Sequence, residues 1–332
     1  MAEEESMVCR RTASRFTRPR APGFSAQLLI AALAVFLAGC APQLAARGTE
    51  SRAPVLTDDH FVTRDGLSLF VQQWRAENPK AILVALHGMN DYSHAFALPA
   101  PYWAEQGITT LAYDQRGFGR SPHTGLWPGD DVLRQDLHDF VDAAHKRYPG
   151  LPVYVLGESM GGAVAMTAFA SADPPAAQGL ILVAPAVWGS DTMPFTYRTT
   201  LWLGAHTLPW YTLTGSGLNI WPSDNLQVLR ENARDPLFIK GTRIDAIYGL
   251  VHLMSEADAA ADKLNRTPLL FLYGGKDQII PADATHYVLE RISQDGVKEY
   301  PDGYHMLLRD LKAAPRWADI ARWITEARAS AQ

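Results

Sequence analysis

The stretch Val153-Tyr154-Val155-Leu156-Gly157-Glu158-Ser159-Met160-Gly161 decides how this chain folds. Four apolar residues form a short buried strand. A G-x-S-x-G pattern follows, and a helix-forming run from Ala163 to Ala170 comes next. A serine hydroxyl by itself is a poor nucleophile. A sharp strand-to-helix turn lifts Ser159 clear of the sheet edge, exposes its oxygen and leaves backbone N–H groups beside it. Glycines flank the turn because side chains there collide with neighbouring backbone.

Outward from this turn, strand and helix patterns alternate. Phe61–Thr63 and Leu67–Trp74 read as antiparallel strands joined at Arg64-Asp65-Gly66. The continuous apolar runs Ala81–Leu86, Thr109–Tyr113, Val153–Leu156, Leu180–Ala184 and Leu269–Tyr273 read as strands covered on both faces, and Val297–Tyr300 as an edge strand. Helices are expected over Ala95–Gln106, Asp131–Tyr148, Gly161–Ser171, Ala282–Ile292 and Ala314–Ala329. The alternation implies an α/β fold with a mainly parallel, doubly wound sheet, which binds ligands at the carboxyl ends of its strands. Residues 186–264 break the pattern. They carry no clear strands and are rich in aromatics, among them Trp188, Phe195, Trp202, Trp210 and Trp221. They are expected to form a helical lid inserted into a core made of residues 58–185 and 265–332.

The nucleophile needs a base, and the base needs an acid to orient it. Leu269–Tyr273 leads into Gly274-Gly275-Lys276-Asp277, and Val297–Tyr300 leads into Pro301-Asp302-Gly303-Tyr304-His305. Both Asp277 and His305 therefore sit on loops at carboxyl strand ends. His286 and His252 follow no core strand, and Asp302 shares the His305 loop and reaches it awkwardly. For the oxyanion, the backbone N–H groups of Met160 and Met89 are the candidate donors, the latter in His87-Gly88-Met89-Asn90 after the Ala81–Leu86 strand. His87 is expected to hold that loop, and Glu158 to pack or pair structurally. Tyr113-Asp114-Gln115-Arg116-Gly117-Phe118-Gly119 matches no phosphate-binding pattern and reads as a tight turn with a buried Asp/Arg network. No metal motif is present, and no cofactor is expected.

The order Ser159, Asp277, His305 is that of α/β-hydrolases. His87-Gly88-Met89, Asp114-Gln115-Arg116-Gly117-Phe118-Gly119, Gly157-Glu158-Ser159-Met160-Gly161-Gly162, Asp277, His305-Met306 and Asp235-Pro236-Leu237 resemble, over roughly residues 58–326, the monoacylglycerol lipase and lysophospholipase group, also labelled serine aminopeptidase-like. The resemblance implies a lidded serine hydrolase acting on fatty-acid esters, with a small acyl ester as its substrate. Glu158 departs from the histidine that many members carry. A peptidase or amidase of the same fold is the competing enzyme reading; its amine-binding acid would come from Glu231, Asp235 or Asp245. A lipid-anchored binding protein without turnover is the non-enzymatic one.

The net charge of -5 across 332 residues argues against a nucleic-acid partner. Arg10, Arg11, Arg15, Arg18 and Arg20 precede the uncharged run Ala26–Ala38, which suits a signal-peptide apolar core and is too short to span a bilayer. Leu37-Ala38-Gly39-Cys40 resembles a bacterial lipobox. Residues 1–39 are thus expected to be a removed leader with translation starting at Met1 or Met7, Cys40 a lipid-attachment site, and residues 40–57 a polar tether. The resemblance implies a cell-envelope protein, and Ala41 after Cys40 fits outer-membrane sorting. Head group, chain length and oligomeric state are not legible.

Overall fold

The computed structural model describes residues 41–215 and 217–330; the leader and Cys40 lie outside them. In chain order the strands are β1 (Val55–Leu56), β2 (His60–Val62), β3 (Ser68–Trp74), β4 (Ala81–Leu86), β5 (Ile108–Tyr113), β6 (Val153–Glu158), β7 (Gly179–Val183), β8 (Thr212–Leu213), β9 (Thr242–Arg243), β10 (Leu269–Gly274) and β11 (Val297–Tyr300). The helices are α1 (Pro99–Glu105), α2 (Asp130–Arg147), α3 (Met160–Phe169), α4 (Phe195–Ala205), α5 (Leu226–Arg234), α6 (Ile244–Ala260), α7 (Ala282–Leu289) and α8 (Ala314–Ser330).

Nine strands form one sheet in the order β1-β2-β3-β5-β4-β6-β7-β10-β11. The pairings β1-β2, β2-β3 and β3-β5 are antiparallel, and every pairing from β5 through β4 to β11 is parallel. The chain winds outward from β4 in both directions, so the loops after β4 and β6 part company at the middle of the sheet. Such a crevice is where open α/β sheets place their ligands.

The period-two alternation of a strand explains how the sheet is covered. Ile82, Val84 and Leu86 of β4 join a core with Val155, Leu182 and Phe271, packed by α2, α3, α6 and α7. Ala81, Leu83 and Ala85 point the other way, into a second core with Leu156, Ile181, Leu272, Trp103 of α1 and Ile320 of α8. With both faces dry, the strands can read as unbroken apolar runs.

Three expectations need adjustment. The helix expected over 95–106 is split into a 3₁₀ turn, Ser93–Phe96, and α1, because Pro99 and Pro101 supply no backbone N–H and fit only in a first helical turn. Within 186–264, helices α4, α5 and α6 are joined by a two-residue ladder of β8 with β9 that no apolar run announces. Part of the stretch expected to be a tether is bound to the domain: the backbone N–H of Ala45 donates to the Trp127 carbonyl at 2.8 Å, and β1 pairs with β2.

Candidate active site

Ser159 joins β6 to α3 with φ 52° and ψ -116°, a sparsely populated positive-φ conformation that costs a non-glycine residue on the order of 1–3 kcal/mol. The surroundings hold it there. Its N–H donates to the Val183 carbonyl at 3.0 Å, and its carbonyl accepts from the Ala186 N–H at 2.9 Å. A Cβ at Gly157 would stand 2.3 Å from the Gly161 carbonyl oxygen, and one at Gly161 would stand 2.3 Å from that of Leu86. These two glycines let the helix start press against the sheet.

His305 follows β11, and its ring lies between the two other groups named from the sequence. Nε2 is 2.9 Å from Ser159 Oγ, and Nδ1 is 2.7 Å from Asp277 Oδ2. A carboxylate accepts only, so the imidazole proton belongs on Nδ1. Nε2 is then free to accept the serine proton. The other Asp277 oxygen, Oδ1, accepts the N–H groups of Ile279 at 2.8 Å and Ile280 at 3.0 Å, which fixes the carboxylate on its loop after β10. Burial pulls the His305 imidazole down. The charge and hydrogen bond of Asp277, with the charge of Glu158, outweigh this and leave it above the ordinary histidine value.

Gly88 and Met89 border the same cavity as Ser159. Gly88 lets the loop approach closely: a Cβ there would lie 3.2 Å from that of Ser159. Met160 is the first residue of α3, so its N–H has no carbonyl one turn earlier in the helix to bond. His87 is fully buried and holds the loop. Its Nε2 accepts the Gln115 N–H at 2.9 Å, which leaves Nδ1–H to donate to the Gly88 carbonyl at 2.8 Å. Burial lowers its pKa and keeps the ring neutral.

Other sequence candidates are placed elsewhere. His252 bonds Asp130 at 2.6 Å, and Asp302 pairs with Lys312 and Arg316. Asp114 and Arg116 are both buried but serve different partners. Arg116 forks onto Asp65 and Asp136, while Asp114 accepts the N–H groups of Ser93 and Arg120. The sequence reading passed over Arg309, which donates to Asp91 at 2.6 Å and to Glu158 at 3.2 Å. Nothing in its sequence surroundings marked it as buried. Burial pushes the Glu158 carboxyl above its ordinary value against the pull of Arg309.

Above Ser159 opens a cavity of about 790 Å³, walled by side chains such as Met193, Leu229, Phe238, Leu250 and Met254. Its wall from the 186–264 segment is tied to the loop after β4: the Ile239 N–H donates to the Asn90 carbonyl at 2.9 Å, and Tyr92 OH donates to Asp235 at 2.6 Å.

A family model described as serine aminopeptidase, S33, matches residues 77–312. The chain belongs to the serine aminopeptidase S33 family. Among curated relatives, it is 28% identical over 298 residues to the monoglyceride lipase of Homo sapiens, covering 86% of this chain and 96% of that protein. It is 26% identical over 285 residues to the monoacylglycerol lipase of Mycolicibacterium smegmatis, covering 81% and 96%. A solved structure of a soluble variant of the Saccharomyces cerevisiae monoglyceride lipase, in complex with a substrate analogue, shares its fold with TM-score 0.66 and 16% identity over 85% of this chain and 99% of that one. The fold of this S33 member is the α/β-hydrolase fold.

The family's aminopeptidase label directs attention to acids that could bind a substrate amine. Asp235 is occupied by Tyr92 and the Leu237 N–H, Asp245 is buried and paired with Arg243, and Glu231 accepts from Gln227. None of the three lines the cavity. Among the described residues, Asp130, His252 and Glu256 bring ligand-type atoms within 4.8 Å of one another. Asp130 and His252 are bonded to each other, and Glu256 to Arg134.

Proposed function

We propose that this serine ester hydrolase cleaves monoacyl lipid esters, either monoacylglycerols or lysophospholipids, by an acyl-enzyme mechanism with Ser159 as nucleophile, His305 as base and Asp277 as orienting acid. The observation that carries the reading is the continuous hydrogen-bond chain from Asp277 through His305 to Ser159 at the floor of an apolar cavity. Ser159 Oγ attacks the ester carbonyl as Nε2 takes its proton. Asp277 stabilises the resulting imidazolium. The N–H groups of Met89 and Met160 receive the oxyanion. His305 then protonates the departing alcohol, and the same base activates the water that releases the acid.

A cavity of this size falls within the range of small-molecule sites. Each methylene of an acyl chain buried there contributes about 0.8 kcal/mol. The segment 186–264 serves as the lid. Its outer surface keeps Phe195, Trp202, Leu203, Trp210, Tyr211 and Leu218 exposed, which suits a protein working at a lipid surface. Among the described residues, no helix is long and apolar enough to cross a membrane. Lipidation of Cys40 would supply an anchor to the cell envelope. Changing Cys40 to Ser should then move the protein from the membrane fraction to the soluble one, and unchanged partitioning would remove the anchor from the account.

The substrate is tested by hydrolysis of a series of monoacylglycerols, lysophospholipids and aminoacyl amides of matched chain length. Turnover of the esters that depends on Ser159 supports the reading. Turnover of amides alone replaces it with a peptidase.

A further inference from the structure

We propose that Arg309 is a positioning residue that clamps together the three loops carrying the site. The inference rests on the reading of Ser159 and His305 as the reacting pair. Asp91 lies on the loop after β4, two residues beyond Met89. Glu158 ends β6 and immediately precedes Ser159. Arg309 stands four residues after His305 on the loop after β11. Its Nη1 donates to Asp91 Oδ2 at 2.6 Å and its Nη2 to Glu158 Oε2 at 3.2 Å. All three side chains are at most 8% exposed.

The arrangement needs arginine. A guanidinium offers two terminal nitrogens in a fixed plane, so one side chain can hold two carboxylates at a set separation. Stability alone is a weak reason to keep the cluster. Burying two carboxylates with one cation costs desolvation that an apolar replacement avoids. Glu158 Oε1 and Arg309 Nε are buried without a protein partner, and the three side chains border the cavity over Ser159. The clamp instead sets the spacing between oxyanion loop, nucleophile and base. Displacement by about 1 Å in such a site lowers the rate on the order of a hundredfold.

The experiment compares the wild type with Arg309→Lys, Arg309→Met and the triple variant Asp91→Asn/Glu158→Gln/Arg309→Met. The readouts are Tm, kcat and KM on a short-chain p-nitrophenyl ester, and the rate of labelling by a fluorophosphonate. Arg309→Lys keeps the buried positive charge but loses the fork. It should fold with Tm near wild type, while kcat and labelling fall about tenfold or more and KM stays within about twofold. Arg309→Met strands two buried carboxylates and should lose Tm as well. The triple variant removes the charges and should regain Tm over Arg309→Met, yet remain about a hundredfold slow. Wild-type kcat in Arg309→Lys, or recovery of kcat together with Tm in the triple variant, overturns the clamp. Failure of the folded wild type to label overturns the site reading itself, and is thereby distinguished from failure of the clamp.

Discussion

Nε2 of His305 lies 2.9 Å from Oγ of Ser159, across 146 residues of sequence. Two loops from different strands bring them together, and each arrives with its partners already fixed: Ser159 by Val183 and Ala186, His305 by Asp277. Each of the two side chains thus reaches the contact from a position held by hydrogen bonds of its own.

Changing Ser159 to alanine should therefore lower kcat at least about a thousandfold and leave the fold intact. The positive-φ backbone at this position adds a second expectation. Ser159→Gly should abolish activity equally and raise Tm above that of Ser159→Ala, because glycine adopts φ 52° without the steric cost. Thermal melts of the two inactive variants, side by side, check this. A glycine variant less stable than the alanine one would count against strain at the turn.

On the proposed mechanism activity requires neutral His305, whose pKa is held above the ordinary histidine value despite burial, by Asp277 and Glu158. kcat/KM should then rise with pH through an acid limb lying above that of a free imidazole. Asp277→Asn removes the charge that raises this pKa. The limb should shift toward lower pH, and the plateau should drop by about 10⁴ because the ring loses its orienting acceptor. A pH–rate profile of both proteins is the measurement. An unmoved limb in the variant would show that another group sets it.

Gly161→Ala places a Cβ 2.3 Å from a β4 carbonyl oxygen, closer than any side chain can yield to. The helix start must lift off the sheet. The expected loss is about 2–3 kcal/mol or more of stability, measured by urea unfolding, together with loss of activity. A stable and active Gly161→Ala would mean that the turn is looser than its geometry.

Asp258 of α6 offers a pH test of the 186–264 segment. Its carboxyl is buried, accepts the Gly189 N–H at 3.1 Å through one oxygen and leaves the other without a partner. Burial pushes it up to about 7, with nearby Asp191 adding to the shift against Gly189 and Arg291. The folded pKa exceeds the unfolded value of about 3.9. Between the two, the folded state binds a proton that the unfolded chain releases. This contribution to stability is present below about pH 4, declines as pH rises, and is gone above about 7. Asp258→Asn should flatten that decline and raise Tm at pH 8. Parallel Tm–pH curves for the two proteins would sink the argument.

Much of the architecture was legible, for reasons visible in particular segments. β4 was read at its observed bounds because a strand buried on both faces must be apolar throughout, and Ala81–Leu86 leaves no other choice. Asp277 and His305 stand out from the other acids and histidines because each lies on the loop after a strand, Asp277 after the apolar run Leu269–Tyr273 and His305 after the edge strand Val297–Tyr300. The Pro99 break in the 95–106 helix was readable in principle but overridden by apolar spacing. The β8/β9 ladder was not readable, since two-residue strands carry no periodicity. Arg116 was assigned to a buried network, but its partners Asp65 and Asp136 lie 51 and 20 residues away in either direction.

What the chain alone determined is local: where strands end, which turn demands glycine, and which loops carry a serine, an acid and a histidine. These follow from apolar runs and steric limits acting over a few residues. The tertiary structure decided the pairings. Arg309 meets Asp91 and Glu158 from 218 and 151 residues away, and Ile239 meets Asn90. Such contacts depend on how the sheet twists and how its loops pack. A buried arginine reads in sequence like a surface one until the fold brings its carboxylates within 3.2 Å.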